Sequence, residues 1–174
     1  MIGYSGTPLP KKLGLRPGQI ALLLGVPKDV TALSEFPDFA KLRKSLRNLS
    51  GRQFDYIHIF VKEREKLEAI IPQIQLLLLA DGMVWVSWPK KSSGVKSDVT
   101  EGVLREVILP CGLVDIKVCA VDEIWSGLKF MFRKELRPNI VAQLDTKPTY
   151  IRRRQRCVTF GNWRQLLSVL PWAS

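Results

Sequence analysis

The sequence predicts a single α/β domain with a mostly parallel sheet of about five strands, helices on both faces and a C-terminal antiparallel strand pair. Short apolar runs alternate with longer segments whose apolar residues have helical spacing. The first runs, residues 19–24, 54–61 and 83–88, are almost uniformly apolar, as in strands that are covered on both faces. Strands alternating with helices build parallel sheets through right-handed crossovers.

Helices are expected between these strands. They are a short helix that starts near Thr7 and Pro8 and ends at Gly14, then residues 31–49, 63–80 and 98–109. In the second of them, Phe39, Leu42, Leu46 and Leu49 recur on one helical face. The pair Asp81-Gly82 is expected to end the third helix.

The last two strands are predicted over residues 114–121 and 128–132. Only a short turn, residues 122–127, separates them. A connection of this length favours an antiparallel pair at the edge of the sheet.

The charge distribution predicts a basic C-terminal extension. The chain has a formal net charge of +11, and residues 137–174 hold seven of its 27 basic but one of its 16 acidic residues. We therefore divide the chain into an α/β domain, 1–136, and an extension, 137–174, whose basic run 152–156 and amphipathic segment 162–170 suit nucleic acid or anionic lipid. A poorly ordered extension is the favoured interpretation of these residues, and binding to nucleic acid or lipid is the alternative.

Several functional classes are disfavoured. No apolar run of about 18 residues suggests a membrane span, and the N-terminus lacks an apolar signal region, so we expect a cytoplasmic protein. Three cysteines without a CxxC pair, together with one histidine, predict no metal site. His58 and Cys119 lie within predicted strands and are interpreted as core residues.

The first candidate site follows the third strand. The strand stops at Pro89, and a helix begins near residue 98. Loop amides, ammonium groups and a helix N-terminus all favour an anion. The candidate ligand residues are Lys90, Lys91, Ser92, Ser93 and Gly94. The alternative is a solvated loop, and the phosphate motif GxxxxGK[ST] is absent.

A second group of candidates is expected beside the first. Ligands of parallel sheets bind outside the carboxyl ends of the strands, where residues 25–28, 62–63, 89–94 and 122–125 would meet. Asp122 and Glu123 suit a ribose, Mg²⁺ or acid–base chemistry, or are turn residues paired with Lys90 or Lys91. Trp125 suits stacking on a base, or rim packing. Thr100 and Glu101 suit ligand orientation, although helix capping explains them equally well.

Two stretches resemble class I S-adenosylmethionine-dependent methyltransferases. They are LRPGQIALLLG, residues 15–25, and the pair of runs FDYIHIFV, residues 54–61, and ADGMVWV, residues 80–86. The resemblance covers about residues 13–133 and implies a Rossmann-like fold with S-adenosylmethionine as cofactor. Of the family's glycine-rich loop, only Gly25 is present, and the acidic residue that ends the second strand has no counterpart.

The chain also resembles a bacterial family of small uncharacterised proteins, a domain of unknown function. The matching segments are GYSGTPL, KKLG, WPKKSSG, DVTE, GLVD, KVCAVD and WSGL, between residues 3 and 128. This resemblance implies a bacterial cytoplasmic protein and brings no activity with it.

The sequence thus predicts binding of an anionic small molecule or nucleotide at the carboxyl strand ends, in a degenerate, non-catalytic methyltransferase-like domain. One alternative is an active transferase with an unusual cofactor loop. Another is a nucleic-acid or protein-partner module that uses the basic loop and tail. The oligomeric state is left open.

Overall fold

Six strands form one mixed sheet in the structure, a computed structural model that describes residues 6–145. The strands are β1 (Ile20–Leu24), β2 (Lys41–Arg43), β3 (Phe54–Phe60), β4 (Leu78–Pro89), β5 (Leu113–Ala120) and β6 (Trp125–Phe132). The helices are α1 (Leu9–Leu13), α2 (Thr31–Ser34), α3 (Arg64–Leu77), α4 (Glu101–Ile108) and α5 (Arg137–Asp145).

The strand order is β2-β1-β3-β4-β6-β5. The first four strands in this order are parallel, while β6 pairs antiparallel with both β4 and β5. The predicted α/β class, the parallel centre and the antiparallel strand pair are therefore confirmed. The sheet has one strand more than the sequence indicated.

The extra strand, β2, lies in a segment that was wrongly predicted as a helix. Within residues 31–49 only Thr31–Ser34 is helical, because Pro37 disfavours helical geometry at Phe36 and removes a backbone donor. The chain then runs along β1, where Ala40 N donates to Gln19 O at 3.0 Å. The helical spacing was misleading, since Phe39 and Leu42 pack on one side of the sheet and Leu46 and Leu49 on the other.

Two predicted helix boundaries were also wrong. Strand β4 begins at Leu78, so Asp81 and Gly82 lie inside it rather than at a helix end. Gly82 is needed there, because a Cβ atom at this position would lie 2.9 Å from Phe54 O on β3. Helix α4 begins at Glu101, after Thr100, and not at residue 98.

Both faces of the sheet are covered, as predicted. On one face α3, α4 and α5 supply buried residues that include Leu67, Ile71, Leu104 and Ile140. The opposite face is covered by the short helices α1 and α2 and by the loop before β2. The Trp85 indole on β4 donates from Nε1 to Leu13 O at 2.8 Å, which fixes α1 on this face.

The start of the predicted basic extension packs on the domain. Ile140 of α5 is buried in the core, and the Arg137 guanidinium donates to Phe132 O and pairs with Asp81. The basic run 152–156 and the segment 162–170 lie outside the described residues. Within residues 6–145, no helix is both long enough and apolar enough to cross a membrane.

Candidate ligand site at the carboxyl strand ends

A cleft of about 460 Å³ opens at the carboxyl ends of β1 and β3. Its walls are the loop after β1, the end of β3 and the first two turns of α3, with the β6 residue Trp125 at one side. The lining residues are Leu24, Gly25, Pro27, Ile59, Phe60, Val61, Lys62, Glu63, Lys66, Ile70 and Trp125. Apolar side chains form most of this lining, and the charged groups belong to Lys62, Glu63 and Lys66.

Gly25 shapes the loop on the β1 side of the cleft. Its φ is +67°, in the left-handed region that favours glycine. A Cβ atom there would lie 2.8 Å from Phe60 O, so a larger residue would collide with the end of β3. Close packing of the loop against the neighbouring strand therefore explains why glycine is required here.

The charges of the cleft lie at the β3–α3 junction. Glu63 and Lys66 form an ion pair at 2.6 Å, with both side chains more than half exposed. The Lys62 ammonium lies 5.8 Å from the centre of the Trp125 ring, within the range of a cation–π contact. No carboxylate pairs with Lys62 among the described residues.

The predicted anion loop is folded onto the protein. Lys91–Ser93 form a single 3₁₀ turn, and Gly94 has a φ of +70°. Lys90 reaches the β5–β6 turn, where its ammonium donates to Asp122 O at 2.6 Å and its backbone N–H to Ile124 O at 2.8 Å. Ser93 Oγ donates to Lys90 O at 2.6 Å. In this loop the polar side chains of Lys91 and Ser92 are exposed.

Asp122 and Glu123 differ in their surroundings. The Asp122 carboxylate accepts hydrogen bonds from the backbone N–H groups of Ile124 and Trp125, at 2.8 and 2.6 Å, and so closes the turn between β5 and β6. Glu123 is exposed at the tip of this turn. The structure brings Lys90 and Asp122 together, although through a carbonyl oxygen and not through the carboxylate.

The residues that follow loop 90–94 stabilise the N-termini of two helices. Asp98 Oδ1 accepts from Arg64 N at 2.7 Å, which places a carboxylate at the N-terminus of α3. Thr100 is the N-cap of α4 and accepts from Val103 N at 3.3 Å. Glu101, in the first turn, pairs with Arg105 at 2.6 Å. The capping interpretation of Thr100 agrees with this geometry.

The strand ends that were expected to meet do lie at one edge of the sheet, but the cleft includes only some of them. Gly25 and Trp125 line it, whereas residues 90–94 and 122–123 do not. Lys66 was not predicted as a site residue, because a lysine on the exposed side of a predicted helix has the same sequence pattern as any solvated lysine. Lys62 and Glu63 follow a buried strand directly, and that position was the signal available in the sequence.

A buried polar chain crosses the centre of the sheet. The His58 ring nitrogens share hydrogen bonds with the Tyr56 hydroxyl at 2.9 Å and the Ser87 hydroxyl at 2.7 Å. All three residues are fully buried, and burial lowers the pKa of His58 to about 3. His58 is thus a neutral core residue, as its position within a strand indicated.

Cys119 on β5 is half-buried, and burial raises the pKa of its thiol against the lowering effects of Lys117 and Lys12. Such a thiol is a poor nucleophile at neutral pH. Among the described residues, no group of three His, Cys, Asp or Glu side chains is placed to hold a metal ion.

Solved structures with the same arrangement of strands and helices are methyltransferases. A Sulfolobus solfataricus protein assigned as a type 11 methyltransferase matches with a TM-score of 0.58, over 84% of this chain and 95% of that chain, at 11% identity. A SAM-dependent methyltransferase from Aquifex aeolicus matches with a TM-score of 0.52, over 71% of this chain and 87% of that chain, at 12% identity. The chain has the methyltransferase fold.

At these identities the comparison concerns the fold of the methyltransferases alone. No protein-family model matches the chain, and no curated protein matches it in sequence. The resemblance to a bacterial family of uncharacterised proteins therefore stays a prediction.

The described residues do not fit S-adenosylmethionine in the way the methyltransferase resemblance implies. The single glycine of the loop after β1 is committed to its contact with Phe60 O, and Pro27 brings no backbone donor. Strand β2, which pairs with β1 where the family has its second strand, ends at Arg43 and is followed by Lys44. By this resemblance, Arg43 and Lys44 occupy the end of the strand where the family's carboxylate would bind the ribose hydroxyls.

Proposed function

We propose that this methyltransferase-fold domain binds an anionic nucleotide in the cleft at the carboxyl ends of β1 and β3, and that it performs no methyl transfer. The observation that carries the proposal is the composition of the cleft, in which an apolar wall adjoins the ammonium group of Lys62, which has no carboxylate partner among the described residues. A nucleotide combines a planar apolar ring with negative charge, which matches these two features.

The apolar wall suits the base. Leu24, Ile59, Val61 and Ile70 give a surface of aliphatic side chains beside Trp125. Burying one face of a base against such a surface removes apolar area from water and favours binding. Trp125 itself is 5% exposed and packs edge-on against Phe60, with ring centres 5.0 Å apart, so it supports the wall rather than stacking freely.

The lysines suit the phosphate. Lys62 lies at the rim, and Lys66 follows it one turn later on α3 with an ion pair to Glu63. A phosphate group at the rim would interact with both ammonium groups at once, and charge-assisted hydrogen bonds of this kind are among the strongest polar contacts.

The cleft offers little for catalysis. Glu63 is its single carboxylate among the described lining residues and is paired with Lys66 in an exposed position. The buried His58 has no exposed surface. An active transferase with an unusual cofactor loop would therefore depend on Glu63 as its general base among the described lining residues.

The loop 90–94 is the alternative location for the anion, since Lys91 and Ser92 remain exposed there. Isothermal titration calorimetry of the full chain with ATP, NADP⁺, S-adenosylmethionine and S-adenosylhomocysteine shows which ligand binds, and variants of Lys62 and Lys91 locate the site. We expect a nucleotide to bind and the two methionine derivatives not to bind.

Lys62→Gln should weaken nucleotide binding about tenfold, because it removes a charge-assisted contact while retaining most of the side-chain volume. Lys91→Gln is the matched control and should leave the affinity unchanged. A loss of binding in Lys91→Gln alone would move the site to loop 90–94. Tight binding of S-adenosylmethionine would overturn the proposal.

A further inference from the structure

Three cationic side chains gather on the α1-covered face of the sheet, away from the cleft. Lys117 on β5 is paired directly across the strands with Lys129 on β6, and Trp85 of β4 is paired with Lys129 on its other side. Burial lowers the pKa of Lys129, and the nearby charges of Lys117 and Arg16 lower it further. We call Arg16, Lys117 and Lys129 the cationic cluster.

The cluster has no neutralising partner in the part of the chain that the structure describes. Ion pairs there involve Arg64, Lys66, Arg105 and Arg137, and none involves a member of the cluster. Lys117 is held in place by donating to Lys12 O at 2.7 Å and lies 5.7 Å from the centre of the Trp85 ring.

Like charges directly opposite each other on neighbouring strands destabilise a sheet. The protein therefore maintains a repulsive arrangement that a bound anion would relieve.

The cluster continues into a groove and not into an enclosed pocket. Arg16 also lines an open groove of about 560 Å³ at the amino ends of β1, β3 and β4. The two carboxylates of this groove are engaged, because Asp55 accepts from Ile20 N at 2.9 Å and Asp81 pairs with Arg137.

The sequence beyond α5 is also basic. Val141 of α5 lines the groove that Arg16 lines. The sequence that follows α5, residues 146–174, contains six basic and no acidic residues. A chain with this excess of basic residues suits an anion with many repeated charges better than a single small one.

We propose that the cationic cluster is a contact site for the phosphate backbone of a nucleic acid. Duplex DNA carries one negative charge per about 1.7 Å of axis, so several phosphates would lie over Arg16, Lys117 and Lys129 together. Contacts of this kind are independent of base sequence and weaken steeply as salt is added.

The surface around the cationic cluster fits an anionic membrane less well than it fits a nucleic acid. Peripheral proteins combine basic groups with exposed apolar side chains that enter the lipid. Trp85, the large aromatic residue of this region, is buried. The exposed Val118 is paired with Leu128, which belongs to the core on the opposite face.

The test uses the full chain and a fluorescein-labelled 20-nucleotide DNA, single-stranded and as a duplex, with binding measured by anisotropy at several salt concentrations. The triple variant Arg16→Gln, Lys117→Gln, Lys129→Gln should bind at least about tenfold more weakly at low salt. Its slope of log affinity against log salt should be shallower by about two, because each lost phosphate contact contributes about 0.7 to 0.9.

The control is Lys41→Gln, Lys44→Gln, Arg47→Gln, which removes the same charge from exposed residues in and after β2 at the opposite edge of the sheet. This control variant should bind the DNA within about twofold of the native affinity, if the loss in the first triple variant comes from the cationic cluster itself and not from the lower net charge. The double variant Arg16→Gln, Lys129→Gln keeps the bond from Lys117 to Lys12, and it guards against a folding defect.

Equal losses in the two triple variants, or no loss in either, would overturn the proposal. Preferential binding to vesicles of phosphatidylcholine and phosphatidylserine, lost in the same variants, would also overturn it in favour of a lipid surface. Nucleotide binding in the cleft does not depend on these results, since the two sites share no residue.

Discussion

Gly25 shows how a single residue links the fold to the candidate site. From the sequence, Gly25 was predicted to be the one glycine that remains of the family's glycine-rich cofactor loop. In the structure its left-handed backbone brings the loop against Phe60 O and forms one wall of the cleft. The glycine was identifiable from its position after an apolar run, whereas its partner on β3, far along the chain, was not.

Gly25→Ala should destabilise the protein by about 2–4 kcal/mol, since it combines left-handed strain with a collision against backbone. Gly94→Ala is the matched control, because its φ is +70° and no atom lies within 4 Å of the added Cβ. The control should cost about 1–2 kcal/mol from strain alone. Urea unfolding measures both, and equal losses would refute the contact with Phe60 as the cause.

His58 predicts a pH dependence of stability. Its pKa is about 3 in the folded protein and about 6.5 in an unfolded chain, so below pH 6.5 the unfolded state binds a proton that the folded state does not. The contribution of neutral His58 is complete above pH 6.5. It is lost as the pH falls towards 3, by about 1.4 kcal/mol per pH unit.

His58→Gln should therefore cost more stability at pH 8 than at pH 4.5, measured by urea unfolding at both values. Ser87→Ala removes a hydrogen-bond partner but keeps the titrating ring, so its cost should depend less on pH. A cost of His58→Gln that is the same at both pH values would contradict the assignment of a neutral buried histidine.

At the scale of elements, long and strongly patterned segments were predictable. Apolar runs and helical spacing predicted strands β1 and β3, helix α3 and the β5–β6 pair. Strand β2 did not, because its three residues include the exposed Lys41 and Arg43 and gain their pairing from the edge of β1. Its sequence carries no strand pattern, and only the tertiary position makes it a strand.

Helix α5 packs on the domain although it lies after the predicted boundary at residue 136. Ile140→Ala should destabilise the protein by about 2–4 kcal/mol, because it removes a side chain buried against the core face that α3 and α4 also cover. Val141→Ala on the next position, where the side chain is 48% exposed, should cost less than about 0.5 kcal/mol. Thermal unfolding of the two variants checks this, and equal effects would show that α5 does not contribute to the core.

At the scale of the whole molecule, the sequence predicted that several strand ends meet at one edge of the sheet, but it did not predict the cleft there. Lys90 and Asp122 were expected to face a ligand, and in the structure they bond to the protein itself. The cleft depends on how closely the loop after β1 approaches β3 and α3. The sequence pattern does not encode this spacing, since it depends on backbone contacts between distant segments.

The molecule thus has two surfaces of different chemistry. The cleft at the carboxyl ends of β1 and β3 combines apolar side chains with Lys62, and the cationic cluster lies nearer the amino-end groove that Arg16 lines. The methyltransferase fold provides the usual place for a ligand, while its residues there do not fit the usual cofactor.

The central claim, that the cleft binds an anionic nucleotide, is tested most directly by amide chemical-shift mapping of the full chain during titration with ATP. We expect the perturbed amides to cluster at Gly25, Lys62 and Glu63, together with the indole of Trp125, and S-adenosylmethionine to leave them unchanged. An absence of shifts at these positions, or shifts confined to loop 90–94 or to the cationic cluster, would contradict the account.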